Sequence, residues 1–159
     1  KGLNGKLGIR RGKLIKTGSE TIVLGGSLIG KAIIRIITNQ AFQAWKKAFE
    51  AEDFWKSIGF DYIPIEPILR KNGKLRAYKT KEGFWRVSTK VLGPSLDAFL
   101  SKNENQADEI ELTETRNRII VGLDALKVEH GHLHGGNFCI DFYNGKKRLY
   151  AIDFDQAVS

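Results

Sequence analysis

Two short stretches near the end of the chain carry its most informative pattern. Residues 130 to 137 read His-Gly-His-Leu-His-Gly-Gly-Asn, and residues 152 to 155 read Ile-Asp-Phe-Asp. The glycines of the first stretch predict a loop, and Asn144-Gly145 between the two stretches predicts a tight hairpin turn. A two-stranded ribbon over 138–143 and 148–154 therefore presents Asn137 at its entry and Asp153 at its exit.

Asn137 and Asp153 have two interpretations. Amide and carboxylate oxygens are hard ligands, of the kind that hold magnesium ions on nucleotide phosphates. In the simpler interpretation, Asn137 caps a turn and Asp153 is an acid at the end of a strand. The spacing by itself leaves both open.

The rest of the chain predicts an α+β fold. Short β-rich runs separated by glycines predict antiparallel strands at 14–17, 21–24, 32–38, 62–70, 75–78 and 85–92. Phe42, Trp45 and Phe49 recur at helical spacing, which predicts one long helix over residues 40–57. A short helix over 95–100 and a second long helix with an apolar stripe follow.

Several motifs, in this chain order, make the sequence resemble the protein kinase superfamily. The first quoted stretch resembles the catalytic loop H-G-D-L-H-x-x-N of small atypical kinases, and Ile-Asp-Phe-Asp resembles their metal-binding I-D-F-D. Residues 91–96 resemble the hinge and following helix of casein-kinase-like enzymes. Gly18-Ser19 leads into Ile33-Ile34-Arg35 as a glycine turn leads to the phosphate-binding strand in the RIO family and the tRNA-modification-complex kinase. Aminoglycoside phosphotransferases share the loop pattern.

The resemblance implies a protein kinase-like bilobal fold. Residues 1–92 would form an N-terminal lobe of five antiparallel strands and one long helix, and 93–159 a minimal or truncated helical C-terminal lobe with the loop and the hairpin. A hinge at 91–94 would join them. ATP would bind in the cleft, and its γ-phosphate would pass to the hydroxyl of an unidentified protein or small-molecule acceptor, as in serine/threonine kinases.

The resemblance also assigns roles to individual residues. Asn137 and Asp153 would bind Mg2+, and His132 stands where the family keeps its catalytic base. The remaining assignments are the phosphate-binding pair Arg35 and Glu50, the glycine-turn residues Gly18 and Ser19, and the adenine-binding backbone near Lys90 and Leu92.

Two substitutions depart from the family pattern. His132 replaces an aspartate, and an imidazole accepts a proton near neutral pH but adds no negative charge beside the metal. Arg35 replaces a lysine, and its broad planar fork differs from a slim ammonium. Weak phosphotransfer is therefore expected; the alternative is a pseudokinase that binds a nucleotide or a partner.

The histidines support another alternative. All three lie at positions 130, 132 and 134, and alternate spacing on a strand would point them to one side, as a three-histidine zinc hydrolase requires. In a kinase-like loop, His130 would instead brace the backbone near Asp153. The glycines at 131, 135 and 136 favour the loop.

Composition indicates a folded protein with polyanionic partners. The formal net charge is +8, and cations concentrate before the first acid, Glu20. Such a basic stretch predicts contact with nucleotides or nucleic acid, or simply a solvated surface. Cys139 is the one cysteine, so no internal disulfide can form, and a cytoplasmic location with no membrane partner is expected. The chain starts on Lys1 rather than Met, so we expect a lost start residue or a fragment.

Overall fold

The structure is a computed structural model that describes residues 15–16, 20–23, 32–102 and 105–159. This part of the chain is a mixed fold of helices and antiparallel sheets, so the predicted α+β class is confirmed. Its strands are β1 (Ile15–Lys16), β2 (Glu20–Val23), β3 (Ala32–Ile37), β4 (Arg70–Lys71), β5 (Lys74–Leu75), β6 (Ala77–Lys79), β7 (Trp85–Lys90), β8 (Phe138–Tyr143) and β9 (Lys146–Ala151). Its helices are α1 (Asn39–Phe49), α2 (Glu52–Ser57), α3 (Leu96–Lys102) and α4 (Gln106–Ala125).

The main sheet holds the strand that carries Arg35. It has five antiparallel strands in the order β1-β2-β3-β7-β6. Strand β3 lies between β2 and β7, and Arg35 pairs with Thr21 on one side and Val87 on the other. Because β3 is an inner strand of the sheet, Arg35 is buried and only 3% exposed.

The predicted single helix over residues 40–57 is wrong, because α1 and α2 are separate. Thr38 caps α1 by accepting a hydrogen bond at Oγ1 from the amide of Ala41 (3.1 Å). The chain leaves helical geometry at Glu50 and Ala51, and the Trp55 indole then donates to the Ala48 carbonyl at 2.8 Å. The break lets Trp55 turn back under α1, where it is fully buried.

The predicted edge strand over 62–70, interrupted by Pro64 and Pro67, is also wrong over most of its length. Residues Ile65 and Ile68 form isolated bridges, to Ala151 and Thr89 respectively, and only the end of the segment joins β4. Pro64 and Pro67 explain this, since neither has an N–H to donate to a continuous ladder. Their carbonyls still accept hydrogen bonds, from Ala151 and Lys90.

The C-terminal part begins with the two remaining helices. Asn105 caps α4 by accepting hydrogen bonds from the amides of Ala107 and Asp108. Strands β8 and β9 then form the predicted hairpin, in which Phe138 pairs with Ala151 and the turn residue Asn144 has φ 49°. No helix in the described part of the chain combines the length and the apolarity that a membrane crossing requires.

One hydrophobic core connects the sequences on both sides of residue 92. Trp45 of α1 stacks on Phe154 with ring centroids 6.3 Å apart, and Ile119 of α4 belongs to the same cluster. The sheet, helices and hairpin therefore pack against shared apolar side chains. A division into lobes at 1–92 and 93–159 stays a prediction.

We expect Gly122→Ala to destabilise the protein, because a Cβ at this position of α4 would lie 2.4 Å from the Trp55 ring. Overpacking of this kind costs about 1–3 kcal/mol, whereas the same change on an open helix face stabilises by up to about 1 kcal/mol. Urea unfolding measures the difference. The control is Val121→Ala on the neighbouring exposed position, 67% accessible, which we expect to shift stability little; a Gly122→Ala variant as stable as the parent would contradict the packing.

Candidate active site

Three charged side chains meet inside the protein. Arg35 Nε donates to Glu66 Oε2 at 3.0 Å, and Arg35 Nη1 donates to Asp153 Oδ1 at 3.3 Å. All three residues are at most 4% exposed. The guanidinium thus holds carboxylates from two segments that are far apart in sequence.

Glu66 organises this cluster through four of its own groups. Its second carboxylate oxygen, Oε1, accepts from the amide of Asp153 at 2.9 Å. Its own amide donates to the Ala151 carbonyl at 2.8 Å, and its carbonyl accepts from the Trp45 indole at 3.0 Å. Glu66 therefore fixes the main sheet, helix α1 and the end of the hairpin relative to one another.

The backbone of Asp153 is in the left-handed region, with φ 63°. Few non-glycine residues adopt this conformation, and Asp and Asn are among those that do so most readily. The bond from its amide to Glu66 supports the conformation. As a result, the side chain of Asp153 turns towards Arg35 at the point where the hairpin ends.

Carboxylates lie close to the guanidinium of Arg35. Burial alone would lower the pKa of Arg35, but the carboxylates of Glu66 and Asp153, with Asp155 further away, raise it overall. Arg35 is therefore always protonated.

His130 braces the backbone, as one interpretation of the sequence expected. Its Nε2 lies 2.6 Å from the Ile152 carbonyl, and its Nδ1 accepts from the amide of His132 at 3.4 Å. Burial is the largest cause that lowers the pKa of His130, to about 4. The ring is therefore neutral at physiological pH. Since Nδ1 accepts a hydrogen bond, Nε2 carries the ring proton and donates a hydrogen bond to the Ile152 carbonyl.

His132 lies beside the two aspartates. Its Nε2 is 3.1 Å from Asp155 Oδ1 and 3.3 Å from the Asp153 carbonyl. The amide nitrogen of Asn137 donates to the His132 carbonyl at 2.7 Å and lies 3.3 Å from His134 Nε2. Asn137 thus uses its nitrogen to hold the loop, and its side-chain oxygen is the atom that it can offer to a cation.

A candidate metal-binding group follows from these positions. One ligand atom each from His132, Asp153 and Asp155 lies within 4.8 Å of the other two. The set combines oxygen and nitrogen donors, so its chemistry fits a divalent cation.

The loop does not form the three-histidine ligand set that the sequence left as an alternative. Both ring nitrogens of His130 contact backbone groups, and His134 is exposed with its Nδ1 accepting from the amide of Gly136. The glycine-rich stretch is a loop with a 3-10 turn, so the alternation of a strand does not apply. Two aspartates, rather than two further histidines, accompany His132.

The structure brings four of the predicted site residues together and separates others from them. Arg35, His132, Asn137 and Asp153 form the cluster described above. Gly18 and Ser19 lie outside the described residues. The Lys90 amide donates to the Pro67 carbonyl at 3.1 Å and its ammonium pairs with Asp141, while Leu92 follows in the extended segment after β7.

The prediction that Glu50 pairs with Arg35 is wrong. Glu50 ends α1 at the surface, where its carboxylate is 42% exposed and lies 3.9 Å from Lys46. Glu66 takes that place, a residue that the sequence analysis missed. Its signal was available: a lone acid in the apolar run Ile63–Ile68 reads as a buried, paired charge.

No protein-family model matches this chain, and no curated protein matches it significantly. The case for a function therefore rests on the geometry and the chemistry of the cluster.

Replacing Glu66 tests the cluster directly. We expect Glu66→Ala to lower the free energy of unfolding by about 3–5 kcal/mol, because it removes one carboxylate partner of a buried guanidinium and the acceptor of the Asp153 amide. Glu50→Ala is the matched control and removes only an exposed ion pair, worth at most about 1 kcal/mol. Denaturant unfolding of both variants measures this, and equal losses would contradict the assignment of Glu66.

The reactivity of the Cys139 thiol provides a second test of the buried surroundings of Glu66. Burial is the first cause that raises the pKa of its thiol, to about 11, and the Glu66 carboxylate adds to it. Because the thiolate is the reactive form, iodoacetamide at pH 8 should modify the folded chain about a hundredfold more slowly than the urea-unfolded chain. The rate should rise as the pH approaches 11. Equal rates in the two states would show that the thiol is accessible and unperturbed.

Proposed function

We propose that the protein is an ATP-binding, protein kinase-like phosphotransferase that uses Mg2+. The observation that carries this proposal is the contact of Arg35 with Asp153 across 118 positions of sequence. It joins the strand and the Ile-Asp-Phe-Asp stretch that resemble the phosphate-binding and metal-binding parts of kinases. The loop with His132 and Asn137 packs on the same stretch, since the Ile152 amide donates to the Asn137 carbonyl at 2.9 Å.

The residues of the cluster would hold the metal and the nucleotide in distinct ways. Asp153 would offer a carboxylate oxygen and Asn137 its amide oxygen to Mg2+, while Arg35 keeps the Asp153 side chain in place. When bound, Mg2+ would neutralise phosphate oxygens of ATP. The adenine would lie against the segment after β7, near Leu92.

His132 would occupy the position beside the acceptor hydroxyl. Its ring is partly exposed, with 28% of the side chain accessible, and so reaches both the interior and solvent. An imidazole can accept the hydroxyl proton, but slow transfer is expected because it lacks the negative charge of an aspartate. The acceptor is a protein hydroxyl or a small molecule, and the kinase-like two-lobed arrangement is part of the same proposal.

A pseudokinase is the second candidate. It is favoured by the environment of Arg35, which engages Glu66 and Asp153 inside the protein at 3% exposure instead of presenting an open cation. Such a protein would bind a nucleotide or a partner without transferring phosphate. Nucleotide binding without transfer to any acceptor, to the chain itself or to water would support this candidate.

Calorimetric titration with ATP, with and without Mg2+, tests the nucleotide site. We expect binding that depends on Mg2+ and that weakens at least about tenfold in Asp153→Asn, since that variant removes a charged metal ligand. Asparagine also tolerates a positive φ, so the backbone is retained. The control is Asp124→Asn on the exposed face of α4. An ATP affinity that changes neither with Mg2+ nor in the Asp153→Asn variant would exclude the proposed site.

A further inference from the structure

The cluster offers a nitrogen ligand where a magnesium site uses oxygen. The geometry points to His132 as a direct ligand of the bound cation, together with Asp153 and Asp155, and to a site that selects a first-row divalent transition ion such as Mn2+ over Mg2+. As an account of catalysis this inference rests on the proposed function and replaces the proton-accepting role of His132 there, because an Nε2 lone pair bound to the ion cannot also take a proton from the hydroxyl. As an account of metal binding it stands on the three side chains alone.

The distances suit neighbouring ligands of one ion. Two ligand atoms that are each roughly 2.1 Å from a six-coordinate ion lie about 3 Å apart when adjacent and about 4.2 Å apart when opposite. His132 Nε2 and Asp155 Oδ1 are 3.1 Å apart, and no two ligand atoms of the set are further apart than 4.8 Å. Small side-chain movements would close the set around an ion.

The imidazole of His132 is held in this position by its surroundings. Its backbone is fixed on both sides, by the donation from Asn137 to its carbonyl and by the donation of its amide to His130. Its ring lies beside that of His130, with centroids 5.1 Å apart, and His130 is anchored on the Ile152 carbonyl. The ligand position therefore does not depend on a freely rotating surface side chain.

Ligand chemistry sets the expected selectivity. Mg2+ prefers an all-oxygen, near-octahedral shell and keeps several waters. Imidazole nitrogen suits transition ions such as zinc, iron and nickel, whereas carboxylate oxygens suit both Mn2+ and Mg2+. Of these two ions, Mn2+ is the transition metal and so the one expected to gain from the added nitrogen. A set of two carboxylates and one imidazole should thus bind Mn2+ more tightly than Mg2+. An aspartate at position 132 would remove that preference.

Electron paramagnetic resonance of Mn2+ added to the purified chain tests the ligand directly. We expect the intact protein to bind Mn2+ at least about tenfold more tightly than Mg2+ in competition, and the bound ion to show magnetic coupling to a histidine nitrogen that changes with 15N-histidine labelling. In His132→Gln, the coupling should vanish and Mn2+ affinity should fall at least about tenfold. His134→Gln is the matched control and should retain the coupling.

The outcomes separate this inference from the proposed function. Bound Mn2+ without nitrogen coupling in the intact protein, or coupling that is lost in His134→Gln instead, would overturn the role of His132. The first of these results needs no variant, so it holds even if His132→Gln fails to fold. If ATP binds with Mg2+ but bound Mn2+ shows no magnetic coupling to a histidine nitrogen, the proposed function stands and this inference fails. If the coupling is present but ATP binds with neither metal, the metal site stands and the proposed function fails.

Discussion

The buried carboxylate of Glu66 is the constraint on which the rest of the structure depends. Placing an ionised group in the interior costs several kcal/mol unless its oxygens are fully satisfied. Arg35 satisfies one oxygen and the amide of Asp153 the other, while the Trp45 indole binds its carbonyl. Each of these partners belongs to a different element, so the charge is tolerated only when strand β3, helix α1 and the hairpin end are all in place. The candidate site is therefore part of the core.

The buried position of Glu66 is related to the irregular backbone of residues 63–69, the segment that carries it. A regular strand would need a donor at every second residue, and Pro64 and Pro67 have none. The segment instead forms two backbone hydrogen bonds with Ala151 of the hairpin on one side and two with β7 on the other. This arrangement leaves the Glu66 side chain directed at Arg35 and Asp153. The two prolines thus prevent a regular strand, and the irregular segment places the Glu66 carboxylate beside Arg35.

Local signals in the sequence were sufficient for the elements whose structure is decided locally. Strands β3 and β7 followed from their β-rich runs, and the hairpin of β8 and β9 followed from its Asn-Gly turn. The break between α1 and α2 could not be predicted from local propensity, because Glu50 and Ala51 favour helices; the bond from Trp55 to Ala48, seven positions earlier, accompanies the break. The partner of Arg35 was mispredicted for a similar reason: burial, not helical placement, decides which acid forms the pair.

The two departures from the kinase pattern are related through charge. Arginine at position 35 can bind Glu66 through Nε and Asp153 through Nη1 at once, which the compact ammonium of a lysine would do with less fixed geometry. This requires two carboxylates beside the cation and leaves Asp155 as a further negative charge nearby. An aspartate at position 132 would add another negative charge to a site where Asp155 already lies beside the residue at that position. Histidine at this position adds no carboxylate and places a ring nitrogen beside Asp155.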